Sequence, residues 1–256
     1  MRARHAHDGS TPHGASAARI AVVIPTLNEE DAIGTVVRAI PRDLVERVIV
    51  ADSHSSDGTA AQAAGAGADV IRVGRGYGRA CLAGVDAAAE ADIIVFMDGD
   101  GADDPARIAA LVEPIRAGGY DFVVGSRVRG EREPGSIAWH QIAAGRLAGL
   151  AMRGLYGAHY TDMCAFRAIR RDRLMDLGMC EMTYGWNVEM QMRAARARLR
   201  TLEIPVPCRR RIGGASKVAG NLSGTLRAGI RIVATIARIA KERGTSPEAR
   251  MRERDA

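Results

Sequence analysis

Ile93-Ile-Val-Phe-Met-Asp98-Gly99-Asp100 runs from five apolar residues straight into two carboxylates separated by one glycine. A short apolar run, mostly β-branched and bounded by turn residues, reads as a buried strand. The same pattern recurs on either side. Ile20-Ala-Val-Val-Ile24 ends at Pro25, Val48-Ile-Val50 ends at Asp52, Val70-Ile-Arg-Val73 ends in a Gly-rich turn, and Asp121-Phe-Val-Val124 ends at Gly125. Between the strands lie Ala-rich helical stretches at 29–40, 57–66, 77–90 and 104–117. Strand and helix alternating at this spacing predict an α/β fold, a mostly parallel sheet covered by helices on both faces. Ligands of such sheets bind beyond the carboxyl ends of the strands. The polar residues cluster there, in Pro25-Thr-Leu-Asn-Glu29, Asp52-Ser-His-Ser-Ser-Asp57 and Asp98-Gly-Asp-Gly-Ala-Asp-Asp104.

Beyond Gly125 the pattern is less regular, with helical stretches at about 139–157 and 186–198 and a short strand at 200–206. Residues 221–243 place Leu222, Leu226, Ile230, Val233, Ile236 and Ile239 at helical spacing. The chain of 256 residues, 47% hydrophobic and 26% charged, suits one α/β domain with a small appendage and excludes wholesale disorder. Its net charge of +6 is unevenly spread. Residues 209–256 carry 12 basic and 4 acidic side chains, whereas the preceding 208 carry 24 and 26. A near-neutral body argues against a nucleic-acid-binding face. Cys81, Cys164, Cys180 and Cys208 show no C-x-x-C spacing, which argues against zinc or a disulfide framework and fits a reducing, cytoplasmic compartment. No run of about 18 apolar residues occurs. Residues 1–18 lack the apolar segment of a secretory signal and read as a disordered leader.

Two carboxylates one residue apart, at the ligand edge of a sheet, suit a hard cation such as Mg²⁺ or Mn²⁺ that shares its sphere with substrate phosphates. A surface turn rich in Asp and Gly is the alternative, but acids crowded in this way are costly without a cation. Asp103 and Asp104, before Pro105, read as helix caps, as does Asp57 in Ser-Asp-Gly-Thr. Gly74-Arg-Gly-Tyr-Gly-Arg-Ala80 imitates a dinucleotide fingerprint, but its third glycine position holds Arg79 or Cys81, and it follows the third strand.

Taken in order, these strand-end segments resemble the inverting family 2 glycosyltransferases of GT-A fold, and among them the branch like dolichyl-phosphate mannose synthase. Pro25-Thr-Leu-Asn-Glu29 resembles the family's P-x-x-N-E, and Val50-Ala-Asp-Ser-His-Ser-Ser-Asp-Gly-Thr59 its second strand end. Asp98-Gly-Asp100 stands at the D-x-D position. Gly125-Ser-Arg127, Asp162-Met-Cys-Ala-Phe-Arg167 and Arg211-Ile-Gly-Gly-Ala-Ser-Lys217 resemble G-S-R, D-x-x-G-F-R and R-x-x-G-x-S-K. Ser53, His54 and Ala165 depart from the family pattern, and Tyr77 stands where lysine is common.

The resemblance implies a GT-A domain over 19–217, with a Rossmann-like nucleotide-sugar-binding half (19–127) and an acceptor half (128–217), followed by a basic, amphipathic helical tail (218–256). It implies a nucleotide-diphosphate sugar as donor, bound by Pro25, Asn28, Glu29, Asp52, Asp98 and Arg79, the last replacing the missing lysine. Asp98 and Asp100 are the implied metal ligands for Mg²⁺ or Mn²⁺, with Asp100 catalytic. A polyprenyl phosphate acceptor brings its own oxyanion and needs cationic positioning rather than a base. Arg127, itself placed in the catalytic set, and Arg146, Arg211, Ser216 and Lys217 are the candidates, while Arg167 serves phosphate or braces a loop. A hydroxyl acceptor instead needs a carboxylate base, for which Glu189 is the nominee, its alternative being a buried acid paired with an arginine. A non-catalytic nucleotide-sugar-binding protein is the remaining reading. The tail, with Arg227, Arg231, Arg238 and Lys241 beside its apolar stripe, reads either as a helix on the anionic cytosolic face of a membrane or as one packed on the domain.

Overall fold

The computed structural model describes residues 18–213 and 222–242, with backbone alone for 222–228. Ser216, Lys217, the expected boundary at 217/218, all but the last residue of the expected leader, and the end of the tail lie outside the described residues.

Every strand expected from the apolar runs is present: β1 (Ile20–Thr26), β2 (Arg47–Asp52), β3 (Asp69–Arg72), β4 (Ile93–Phe96), β5 (Phe122–Ser126) and, across the expected 200–206 segment, β7 (Thr201–Pro205). The intervening helices are α1 (Glu30–Ala39), α2 (Thr59–Gly65), α3 (Tyr77–Ala87) and α4 (Ile108–Arg116), followed by α5 (Trp139–Tyr156), α7 (Trp186–Arg196) and α8 (Leu222–Lys241). Two elements were not expected, β6 (Arg167–Arg170) and α6 (Arg171–Asp176). Among the described residues β6 is the one strand that begins and ends in arginine, so hydrophobic patterning hides it. Arg167 is nonetheless fully buried, its guanidinium donating to the carbonyls of Cys164 and Asn187 and lying over the Phe122 ring. It braces the loop that precedes its own strand.

The seven strands among the described residues form one sheet in the order β3-β2-β1-β4-β6-β5-β7. All pairings are parallel except those of β6, which runs antiparallel to both β4 and β5. Strand β1 shows how the sheet is covered. Ile20, Val22 and Ile24 face a core shared with α1, α2 and α4, while Ala21 and Val23 face a second core shared with α3, α5, α7 and α8. This is the period-two alternation of a strand buried on both sides.

Register places the site. Thr26 pairs with Asp52 across β1 and β2, and Val23 pairs with Phe96 across β1 and β4. The three polar segments of the sequence therefore leave the sheet at one edge. The tail helix α8 packs on α7 and α5, burying Thr235 and Ile239, with Ile232 and Ile236 half-buried against the second core. No helix among the described residues is long and apolar enough to cross a membrane.

Candidate active site

Beyond the carboxyl ends of β1, β2 and β4 opens a cleft of about 760 Å³. Pro25, Thr26, Glu29 and Ser53 line one side and Asp98, Gly99, Asp100 and Asp103 the floor, while Arg127 enters from the end of β5 and Gln141, Tyr184, Arg210 and Arg211 come from the second half of the chain. The floor turns sharply because Gly99 has no side chain. A Cβ there would stand 2.9 Å from Thr26 Cγ2 and 3.2 Å from Ile24 Cγ2, so a larger residue would push β4 away from β1.

The floor is short of positive charge. Burial, with the carboxylates of Asp100 and Asp103 beside it, pushes Asp98 up to about 8, against the opposing pull of Arg127 and Arg211. The Tyr77 hydroxyl reaches it at 3.4 Å. Asp103 is raised to about 6, chiefly by burial, although the Asp98 N–H donates to it at 3.0 Å. Asp103 is therefore no helix cap but a third carboxylate of the floor; Asp104 does cap, accepting from the Ala106 N–H at 3.2 Å. Asp100 accepts from the Ala102 N–H at 2.9 Å and pairs with Arg211 Nη1 at 2.8 Å. Arg211 also reaches Glu29 at 2.9 Å, so one guanidinium ties the third polar segment of the sheet edge to the first.

A divalent cation fits this donor set. Among the described residues no three His, Cys, Asp or Glu side chains form a ready-made metal shell. Two or three hard oxygen donors with excess negative charge are what Mg²⁺ or Mn²⁺ takes when substrate phosphates complete the sphere.

Arg127 follows β5 and is fixed by Asp162. Its N–H and Nε donate to Asp162 Oδ2 at 3.0 and 2.8 Å, and Nη2 donates to Oδ1 at 2.8 Å. Burial alone would raise Asp162, but this two-pronged pairing holds it below the ordinary carboxylate range. The G-S-R and D-x-x-x-F-R segments, 35 residues apart, thus form one unit.

Other expected site residues have different surroundings. Asn28, in the left-handed region at φ 52°, accepts from the Ser56 N–H at 2.9 Å and staples the β1 loop to the β2 loop outside the cleft walls. Asp52 is buried and accepts from Ser55, leaving Ser53 on the wall. Arg79 is exposed and off the cleft, its N–H donating to Met182 O at 3.1 Å; Arg75, on the loop before α3, lines the cleft instead. Arg146 is an exposed residue of α5 that does not reach the cleft walls.

Glu189 is fully buried outside the cleft and paired with Arg193 at 2.9 Å and Arg238 at 3.0 Å. Burial would raise it, but the Glu181 N–H, the Cys180 thiol and the Arg193 charge hold it low. That is the paired structural acid weighed above, and its position corrects the general-base assignment. The sequence offered weak signals for the missed residues, in that Arg75 and Ser53 lie within quoted segments and Arg210 adjoins one. Which neighbour faces the cleft depends on loop geometry.

The chain matches the family model described as "Glycosyl transferase family 2" over residues 21–178. It is 36% identical over 212 residues to an uncharacterized glycosyltransferase of Mycobacterium tuberculosis, covering 81% of this chain and 93% of that protein. It is 34% identical over 232 residues to the undecaprenyl-phosphate mannosyltransferase of Micrococcus luteus, covering 80% and 90%. Among solved structures, glucosyl-3-phosphoglycerate synthase from Mycobacterium tuberculosis in complex with Mn²⁺, uridine diphosphate and glucosyl-3-phosphoglycerate superposes with a TM-score of 0.71. That match has 25% identity and covers 88% of this chain and 80% of that one.

Proposed function

The chain belongs to the family 2 glycosyltransferases, with the GT-A fold, and from that premise we propose that it moves a sugar from a nucleotide-diphosphate donor to a polyprenyl phosphate, with inversion. One observation carries the choice of acceptor. The cleft gathers Arg75, Arg127, Arg210 and Arg211, while the carboxylate best placed by sequence to act as a base, Glu189, is sealed away in ion pairs. A phosphate acceptor is already an oxyanion at neutral pH, so it needs placement and charge compensation rather than deprotonation. The named function of the Micrococcus luteus relative supports the same reading.

In this reading residues 19–127 hold the donor and 128–217 the acceptor. Asp98 and Asp100 hold Mg²⁺ or Mn²⁺, which when bound offsets the charge left on the departing nucleoside diphosphate. The Asp98-Gly-Asp100 turn keeps both carboxylates at the sheet edge. Arg127, locked by Asp162, presents a fixed guanidinium to the acceptor phosphate. Arg211, paired with Glu29 and Asp100, exchanges carboxylate partners for phosphate oxygens as the cleft fills.

The test is a panel of radiolabelled nucleotide sugars with polyprenyl phosphate and Mn²⁺, extracted into organic solvent. Label in the organic phase that disappears in Asp100→Asn is expected. Label remaining aqueous with every donor would overturn the acceptor assignment. The bound product in the Mycobacterium tuberculosis structure favours a second reading, a small phosphorylated hydroxyl acceptor, which the same assay detects as a labelled aqueous product distinct from free sugar.

A further inference from the structure

Glu203 stands on β7, the edge strand at the opposite side of the sheet from β3. Its side chain is nonetheless only 8% exposed. A carboxylate taken out of water is costly unless donors match its oxygens, and here most of them come from one short segment. The Thr161 N–H donates to Oε1 at 2.8 Å and the Asp162 N–H to the same oxygen at 3.3 Å, while the Thr161 hydroxyl donates to Oε2 at 2.9 Å. The half-exposed Arg129 guanidinium lies 3.6 Å from Oε2. Strand pairing asks for none of this. β7 joins β5 in parallel register with Glu203 opposite Val124, an arrangement made by backbone groups.

Asp162 is the residue that fixes Arg127 in the cleft. A carboxylate holds a guanidinium only as firmly as its own backbone is held. That backbone is gripped on both sides, since Glu203 takes the N–H and the buried Gln191 amide of α7 donates to the carbonyl at 2.9 Å. Thr161 adds a link to β5 itself. Its hydroxyl lies 2.7 Å from Ser126 Oγ, one residue before Arg127. Helix α5 presses on the same loop, where a Cβ at Gly149 would overlap the Tyr160 carbonyl oxygen.

We propose that Glu203 is a positioning residue for the cleft. Acting through Thr161 and Asp162, it sets the place of the Arg127 guanidinium without touching substrate. Hydrogen-bond geometry rather than charge carries the effect. Glutamine in its place keeps both N–H bonds on its carbonyl oxygen and offers its amide to Thr161 Oγ1, whose proton then turns to Ser126. Alanine keeps none of them. The consequence for turnover rests on the proposed phosphate acceptor, whereas the consequence for Arg127 itself does not.

The experiment reads Arg127 first, in the full chain without donor or acceptor. Nitrogen-15 NMR follows exchange of the Arg127 Nε–H with water, the signal being assigned by its loss in Arg127→Lys. Glu203→Ala should speed that exchange about tenfold, and Glu203→Gln should leave it within about twofold of wild type. Exchange unchanged in Glu203→Ala, or as fast in Glu203→Gln as in Glu203→Ala, overturns the proposal. If Glu203→Ala fails to fold, Thr161→Val keeps the shape and the N–H but loses the hydroxyl bond. It should speed exchange about threefold, and unchanged exchange there overturns the proposal equally. Steady-state transfer to polyprenyl phosphate is measured second. The acceptor KM should rise about tenfold in Glu203→Ala with the donor KM within about twofold. A fold merely weakened would lower kcat and leave both KM values alone. Faster Nε–H exchange with an unchanged acceptor KM, or with no transfer from any donor, upholds the role of Glu203 and overturns the phosphate-acceptor reading instead.

Discussion

Asp162 takes three hydrogen bonds from Arg127 and is almost wholly buried. Removing one member of such a pair leaves the other uncompensated, and Asp162→Asn is expected to cost about 3 kcal/mol of stability, read from urea unfolding. The pH dependence follows from the lowered pKa. Between the low folded pKa and the ordinary value near 4 the unfolded chain holds more protons, so stability rises with pH through that window. The contribution is complete above the ordinary value and is lost as pH falls through the folded one. Unfolding midpoints of wild type should therefore fall more steeply than those of Asp162→Asn as pH drops below about 4. In the cleft, Asp100→Asn should lower sugar transfer by about 10²-fold or more, since it removes charge from the acidic floor proposed to hold the metal; single-turnover rates at saturating donor check this.

At the level of elements, the seam between α7 and α8 is held by an apolar strip and by Glu189 with Arg193 and Arg238. Arg238→Ala should loosen α8 without disturbing the sheet, seen as faster amide exchange confined to 222–241 and the adjoining α7 backbone. Glu189→Gln discriminates between roles. Loss of a general base would cost about 10²–10⁴ in turnover, whereas a buried acid anchoring the 180–181 backbone should leave turnover per folded molecule within a few fold and lower the unfolding midpoint. The second outcome is expected. Steady-state rates beside thermal melts measure both.

For the molecule as a whole, the crowded floor makes cation binding a stability term. Mn²⁺ at about 100 times its dissociation constant should stabilise the fold by about 2.7 kcal/mol, raising the melting temperature by several degrees, and Asp98→Asn with Asp100→Asn should abolish the rise. Calorimetry with and without Mn²⁺ provides the comparison. Much of this architecture was legible beforehand. Among the described residues, apolar runs that end in Pro, Asp or Gly named β1, β2, β4 and β5, because a strand buried on both faces has to be continuously apolar, while the half-buried edge strands β3 and β7 followed from the shorter runs at 70–73 and 200–206. The register of parallel strands then obliged their polar ends to meet at one edge. β6 escaped because its arginines conceal a buried strand whose charge is satisfied by carbonyls remote in sequence. The site divides in the same way. Asp98, Asp100, Glu29, Arg127 and Arg211 sit on or just past strand ends or in segments tied to them, where chain direction alone sends them to the cleft. Arg75 rather than Arg79, Ser53 rather than Asp52, the third carboxylate Asp103 and the burial of Glu189 were settled only by tertiary structure. Those residues lie on loops and helices, where a rotation of one position exchanges cleft for core, and long-range partners such as Arg238 decide which way each side chain turns.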